Sequence, residues 1–404
     1  MTTSILAPVK PTKQTNTAPI SGNITIRVRV AESLQDLDEH VTAWDDLAAQ
    51  ASEPNVFFES WVIRPGIPAF EEGQNLFYLF VYAESADNAK QPPVLIGFFP
   101  MNRRRRYRGL PISCVGIWQH GEAFLATPLI RKDYENECFR GFFQWLKEDP
   151  RSAPLVEFPQ LSGDGPVYKN LVHHFFFEGT LHYPVEAFNR AFLIPSRLPM
   201  DDYPATISAN KRRDLKRKQR RLEAMGQLNY RQLEDEADVD EWLDKFLQLE
   251  ASGWKGRENT ALLCKERNHI FFREMAREAF RRDQLLMLGL FLDDKPVAIR
   301  CNFVSGEGSF FFKPAYDETL AKFSPGVLLE LEMIRYLQDH PQIAWMDSCT
   351  SPNNQLLNGL WCDRRTIHTI VAATGKRFGG LVVSMLPMLR WVNRKFGKYD
   401  PTEV

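Results

Sequence analysis

Cysteine is sparse in this chain and never grouped. The six among 404 residues are Cys114, Cys138, Cys264, Cys301, Cys349 and Cys362, with no CxxC spacing. That pattern argues against a disulfide framework or a zinc site, and four of the six sit in apolar or aromatic surroundings expected of reduced core thiols. No metal is expected. Charge of one sign is equally lacking: 50 Lys and Arg against 51 Asp and Glu leave a formal net charge of −1. The molecule as a whole therefore has no electrostatic preference for nucleic acid or membrane, and any such preference must come from local patches. Also missing is a run of 18 apolar residues, so no segment is expected to span a bilayer as a helix. Residues 1–23, rich in Thr, Pro, Lys and Asn, lack the long apolar stretch of a signal peptide and are expected to be a disordered tail. A cytoplasmic protein is expected, without a nucleic-acid partner.

The most informative stretch present is FFFKPAYDETLAKFSPGVLLELEMIRYL, Phe310 to Leu337. An aromatic strand leads into a polar loop, and Ser324-Pro325-Gly326 opens an amphipathic helix. Ser324 is a good N-cap residue, and Pro325 falls where a missing N–H costs nothing. The third helical position is Val327 rather than the Glu or Gln of a capping box, so no local carboxylate claims the first N–H groups. Gly326 lets a bulky group approach, and Lys322 adds positive charge upstream. Lys322, Phe323, Ser324, Pro325, Gly326, Val327 and Leu328 together make a candidate anion site suited to a pyrophosphate. An ordinary helix start is the competing reading.

Upstream, LLMLGLFL and VAIRCNFV are two strands joined by Asp293-Asp294-Lys295-Pro296. A second turn at Ser305 to Gly308 leads into SFFFKPAY, and IAWMD (Ile343 to Asp347) forms a strand after the Ser-Pro-Gly helix. Helices, a β-meander, a phosphate-type helix start and a further strand come in the order of a GNAT acyltransferase core. Residues from about Ser208 to Thr374 resemble the CelD/BcsL-type acetyltransferase domain, which is related to FemAB-like transferases. The resemblance rests on SANKRRDLKRKQRRLEAMG, ASGWKGRENTALL, KPAYDETLAKFSPGVLL and WMDSCTSPNNQLLNGLW. NVFFESW (Asn55 to Trp61) and LIGFFPMNRRRRYRG (Leu95 to Gly109) extend it into the first half. One departure is that Lys322 to Val327 lacks the glycine pair of the usual GNAT pyrophosphate loop.

The first half repeats the order of helix, meander, helix and strand without the Ser-Pro-Gly start. It begins at the alternating strand ITIRVRV, followed by a helix expected over Leu34 to Ala51. The resulting expectation is α/β architecture, with two GNAT-like halves that each carry a mixed central sheet flanked by helices. Residues 24–200 would be a degenerate GNAT-like domain, 201–375 a GNAT domain with the acyl-CoA site, and 376–404 a basic amphipathic segment. The join falls near Pro195 to Asp202.

The resemblance implies acyl transfer from a CoA thioester to an amine, with acyl-CoA as co-substrate. A backbone N–H of the splayed central strand would meet the oxyanion. His120 is the best histidine for taking a proton from the amine, because its ordinary pKa lies near neutrality. Asp347, at a strand end, is the second candidate base, with a turn cap as the rival reading. Tyr316 could protonate the leaving thiolate. Trp254 and Lys255, between two glycines, read as a loop closing over substrate, and Trp361, Arg364 and Arg365 as a cleft edge.

Two basic clusters stand out. KRRDLKRKQRR (Lys211 to Arg221) is either a solvated helix or a grip for phosphate. Arg103 to Arg106 with Arg108 forms a turn that an anionic membrane would attract. From Lys376 to Lys398 there are six basic residues and no acid, with apolar residues along one helical face. That segment fits either a helix docked on the protein or one lying in the headgroup layer of the inner membrane. The reading that follows is an N-acyltransferase acting on an amphiphilic amine of the sphingoid type, as in the bacterial ceramide-synthesising branch. Transfer from an aminoacyl-tRNA, transfer onto an envelope polysaccharide, and a non-catalytic scaffold are the alternatives.

Overall fold

The computed structural model describes residues 20, 23–88, 90–197 and 207–396, with side chains given as far as 391. The expected tail (1–23, apart from Ile20 and Asn23), residues 198–202 of the expected join, and 397–404 lie outside the described residues. Two compact units make up the chain, and they are interleaved. Of the described residues, one takes 20, 23–60, 71–88, 90–188 and 366–396; the other takes 61–70, 189–197 and 207–365. The boundaries expected from the sequence, 24–200 and 201–375, are contiguous, whereas these units are not.

The first unit is built on β1 (Ile24–Ala31), whose alternating exposure matches its alternating sequence. The helix expected over Leu34 to Ala51 is two helices, α1 (Leu34–Asp38) and α2 (Val41–Ala49), separated at Glu39 and His40. Ser33 and Asp36 form a capping box at the start of α1. β2 (Leu76–Ser85) pairs antiparallel with β1 and with β3 (Val94–Arg104). β4 (Cys114–Ile117) pairs antiparallel with β3, and the short β5 (Leu129–Ile130) touches β3 as well. After α4 (Glu135–Glu148), β6 (Leu155–Ser162) runs parallel to β4. α5 (Pro166–Phe177) follows, and β13 (Asp363–Ala373) closes this sheet antiparallel to β6. α12 (Gly379–Phe396) ends the described chain.

The second unit repeats that plan. α6 (Ala209–Glu223) is capped by Ser208, whose hydroxyl accepts from the Lys211 N–H. β8 (Leu228–Gln232), β9 (Leu285–Leu292), β10 (Lys295–Ser305) and β11 (Gly308–Tyr316) form an antiparallel meander. α7 (Val239–Ser252), the short α8 (Trp254–Arg257) and α9 (Glu266–Arg281) lie between β8 and β9 in sequence. α3 (Ser60–Phe70) belongs here from Trp61 onward, with Trp61 packed on Phe303 and Phe70 on Phe271. α10 (Pro325–Asp339) leads to β12 (Trp345–Asp347), parallel to β11, and α11 (Gln355–Leu360) follows. The closing antiparallel strand beside β12 is the end of β7 (His182–Leu193), through Phe192 and Leu193. Both units thus contain four antiparallel strands, one parallel strand and one closing antiparallel strand. Each closing strand comes from the other half of the sequence.

β9 is buried along nearly its whole length, as its unbroken apolar sequence LLMLGLFL requires of a strand covered on both faces. The pairing of β11 with β12 is brief: only Gly308 to Phe310 have partners on β12. Beyond Phe310, β11 continues for six residues without β12 beside it. That opening, between the outer part of β11 and the start of α10, positions the site.

Candidate functional site

A pocket of about 260 Å³ lies in the second unit, between the outer parts of β10 and β11 and the first turns of α10 and α11. Its mouth carries Tyr316, Ser324, Pro325, Gly326 and Val327, and Asn354 and Leu356 approach from α11. Arg300 and Glu330 also line it and are almost fully buried. These two side chains form an ion pair, and the second Glu330 oxygen accepts from Trp361 Nε1 at 2.9 Å. Arg300 is held by Asn302 Oδ1 at 2.8 Å, with its guanidinium 3.8 Å from the centre of the Phe311 ring. Burial pushes the Arg300 guanidinium below its usual pKa, against the pull of Glu330. The pair braces β10 against α10 and sets a fixed dipole in the pocket wall.

The turn into α10 differs from the sequence expectation. Ser324 stands at the N-cap position, but its backbone is left-handed (φ 56°, ψ 50°) and its hydroxyl caps nothing. Lys218 on α6 donates to that hydroxyl at 3.1 Å. The Val327 and Leu328 N–H groups are also not idle: both donate to the Ser324 carbonyl, at 3.0 and 3.1 Å. The Gly326 N–H makes no backbone hydrogen bond among the described residues. A Cβ built at Gly326 would meet nothing nearer than the Tyr316 ring, at 3.8 Å, so the space before it is open. Of the seven residues expected to hold pyrophosphate, Ser324 to Val327 line the pocket. Leu328 and Phe323 are core residues, and Lys322 is exposed with its Nζ 5.0 Å above the Phe323 ring.

α6 presents a second cationic feature in the same unit. Leu215 and Leu222 anchor it in the core, while Arg213, Lys216, Arg217, Arg220 and Arg221 line a groove of about 350 Å³ on its other side. Asp214 is the acid within this run and is shared by Arg217 and Lys218.

The two expected bases lie outside the lining of this pocket. Asp347 is fully buried, and burial pushes its carboxyl up, but Arg190 and Arg365 outweigh this and hold it below the usual range. Arg190 Nε sits 2.7 Å from Oδ1, and Arg365 Nη1 donates to Oδ2 at 2.8 Å. The Cys349 N–H donates to Oδ1 at 2.9 Å, which is the turn cap named as the rival reading. A carboxylate so neutralised is a poor proton acceptor. His120 belongs to the first unit, is buried beside Trp118, and burial pushes its pKa down to about 3. Neither residue lines the pocket.

Tyr316 does line it, at the rim. The expected loop at Trp254 and Lys255 is the short helix α8. Trp254 is exposed and its N–H donates to Glu318 Oε1 at 2.7 Å, while Lys255 pairs with the buried Glu250 at 2.9 Å. Trp361 is fully buried rather than at a cleft edge. Exposed Arg364 donates to the carbonyls of Asn358, Trp361 and Asp363, fastening the end of α11. In the first unit, Arg104 and Arg108 both pair with buried Glu157, so the arginine turn is less cationic than its sequence suggests. Among the described residues no group of three or more His, Cys, Asp or Glu could hold a metal ion. Cys114, Cys138, Cys301 and Cys349 are buried free thiols, as expected.

Arg300, Glu330 and Lys218 were not singled out from the sequence. Their signal was available for the first two: a lone Arg inside the strand VAIRCNFV, and a Glu on the apolar side of α10.

With this geometry in place, residues 209–354 match the GNAT acetyltransferase domain model. The match contains the meander, α10, β12 and the residues from Arg300 to Asn354 around the pocket. The molecule is similar to FemX (8% identity, 85% of this chain and 98% of that one, TM-score 0.54). It is also similar to a conserved protein of unknown function from Bacteroides thetaiotaomicron (11%, 86% and 99%, TM-score 0.50). A tandem GNAT protein from the clavulanic acid biosynthesis pathway matches as well (12%, 87% and 99%, TM-score 0.42). At these identities the first two likenesses bear on the fold alone. No curated protein matches the sequence. The fold is mixed α/β, and its matched segment is similar to a GNAT acetyltransferase domain.

Proposed function

We propose that this protein transfers an acyl group from a CoA thioester to a primary amine. The acceptor would be an amphiphilic amine of the sphingoid type presented at the inner-membrane surface. The observation that carries the reading is the pocket at the start of α10, where Gly326 leaves open space before a helix N-terminus and Tyr316 stands at the rim. Pyrophosphate would lie against Gly326, with Lys218 and the cationic groove of α6 supplying positive charge. The acyl thioester would then point into the pocket, where β11 has left β12.

The amine attacks the carbonyl carbon, a C–N bond forms, and the C–S bond breaks. Tyr316 gives its proton to the departing thiolate and is reprotonated from water, while the attacking nitrogen releases its second proton to water as the amide forms. The ammonium proton goes to water before attack, because Asp347 is neutralised by two arginines and His120 lies outside the pocket lining. Positioning supplies most of the acceleration. The test is release of free thiol from palmitoyl-CoA on addition of a long-chain amine, with mass spectrometry for CoA retained by undialysed protein. Thiol release that tracks amide formation is expected. Absence of both amide and retained CoA would overturn the reading.

A further inference from the structure

In the first unit, α12 is not simply a helix packed on the protein. Val383 and Leu386 point inward against Tyr107, Cys114, Leu155 and Val371. Arg390 Nη1 fastens the helix to the Val185 carbonyl at 2.8 Å. The opposite side is apolar and open. Phe378, Leu381, Met385, Met388 and Trp391 recur at helical spacing and are 40–61% exposed. This stripe is continued by a second element: Leu181 lies against α12, where a Cβ at Gly380 would come within 3.2 Å of its Cδ1. Just before Leu181, α5 ends on Phe176 and Phe177, which are 78% and 67% exposed. Exposed apolar residues scattered singly need no explanation, but a patch built from the end of α5, the loop residue Leu181 and the outer side of α12 does.

Its charge says what covers it. The stretch from Lys376 to Phe396 has five basic residues and no acid. Arg377 lies 4.9 Å above the Phe378 ring, and the exposed Arg390 adjoins Trp391. Glu178, beside Phe177, is the acid at the edge of the patch. A two-fold contact between copies would set this acid-free helix against itself, with like charges opposed. A layer of anionic headgroups above acyl chains matches both the aromatic and aliphatic protrusions and the basic flanks. Among the described residues no helix is long and apolar enough to cross a membrane.

We infer that the face formed by the end of α5, Leu181 and the outer side of α12 docks on an anionic lipid bilayer, with Phe176, Phe177, Leu381, Met388 and Trp391 entering the headgroup layer. This deepens the proposed function by naming how the protein reaches an amphiphilic acceptor. It rests on that reading only for the acceptor, since vesicle binding and acyl-CoA binding can fail separately.

The test compares the full chain with the variants Leu381→Ser/Met388→Ser/Trp391→Ser and Phe176→Ser/Phe177→Ser. Each is sedimented with phosphatidylcholine vesicles with and without phosphatidylglycerol. The full chain is expected to partition at least about tenfold better when phosphatidylglycerol is present, and each variant to lose about tenfold. Circular-dichroism melting and acetyl-CoA binding of both variants should match the parent, because the substituted side chains are exposed. Equal sedimentation with both vesicle types, or variants that sediment like the parent, would overturn the proposal. So would a concentration-dependent dimer that the substitutions dissolve, which would assign the patch to a second copy.

Discussion

Replacing Gly326 with Glu places a carboxylate at the second residue of α10, facing the open space before the helix. The fold should tolerate it. A Cβ at this position makes only an ordinary contact, 3.8 Å from the Tyr316 ring. Replacing Gly inside a helix recovers about 0.5–1 kcal/mol, and an acid in the first turn adds about 0.3–1 kcal/mol against the helix dipole. The melting temperature should therefore stay level or rise. Acyl-CoA binding should behave oppositely. Two like charges about 5 Å apart repel by about 3 kcal/mol at an effective dielectric of about 20, and partial exposure at the mouth cuts this to about 1.5–3 kcal/mol. The predicted loss of acetyl-CoA affinity is thus about ten- to a hundredfold, read by titration calorimetry. Gly326→Ala is the control and should bind within about twofold of the parent, since it adds volume where there is room. Unchanged affinity in a folded Gly326→Glu protein would show that pyrophosphate does not lie there.

Other outcomes follow from the buried charges. Asp347→Asn leaves Arg190 and Arg365 buried without their anion and should cost about 3–5 kcal/mol in a denaturant titration; a loss below about 1 kcal/mol would contradict the ion-pair geometry. His120 has a folded pKa of about 3, well below its ordinary value. The unfolded chain therefore takes up the proton first, and stability complete above about pH 6.5 should fall by about 1.4 kcal/mol per pH unit down to about pH 3. His120→Gln should show a shallower acid slope than the parent, and identical slopes would place His120 in water. Turnover should climb with pH until the acceptor amine reaches its own pKa, with the same profile in His120→Gln; a plateau set near pH 6.5 that this variant abolishes would restore the histidine as base.

The fold was more legible than the site. Period-two alternation identified β1, an unbroken apolar run identified β9, and the turns at Asp293 and Gly306 marked the meander, because each of these signals is local. The exchange of β7 and β13 between units left no mark, since a closing strand looks alike whichever sheet it joins. Ser324-Pro325-Gly326 was found from residue types, but its left-handed N-cap and the use of the Ser324 carbonyl by Val327 and Leu328 depend on how α6 and α10 meet. Asp347 misled for a physical reason. A carboxylate at a strand end reads the same whether water or two arginines face it, and Arg190 and Arg365 are far from it in sequence or hidden in a polar run.

The duplicated topology bears on why this pocket lies in the second unit. In the second unit the parallel pairing of β11 with β12 stops after three residues, and α10 begins with Ser-Pro-Gly, so strand edge and helix start leave a cavity between them. In the first unit the corresponding pair, β4 with β6, also spans three residues, but β4 itself ends one residue later, at Ile117. The corresponding helix, α4, begins at Glu135 with Tyr134 at its N-cap and acids at Glu135 and Glu137 in its first turn. Those carboxylates already occupy the favourable end of the helix dipole and would repel a phosphate there. Acid in the first turn of α4 and none in that of α10 is a difference of two residues in sequence, and it favours the proposed anion binding at α10 over the same role at α4.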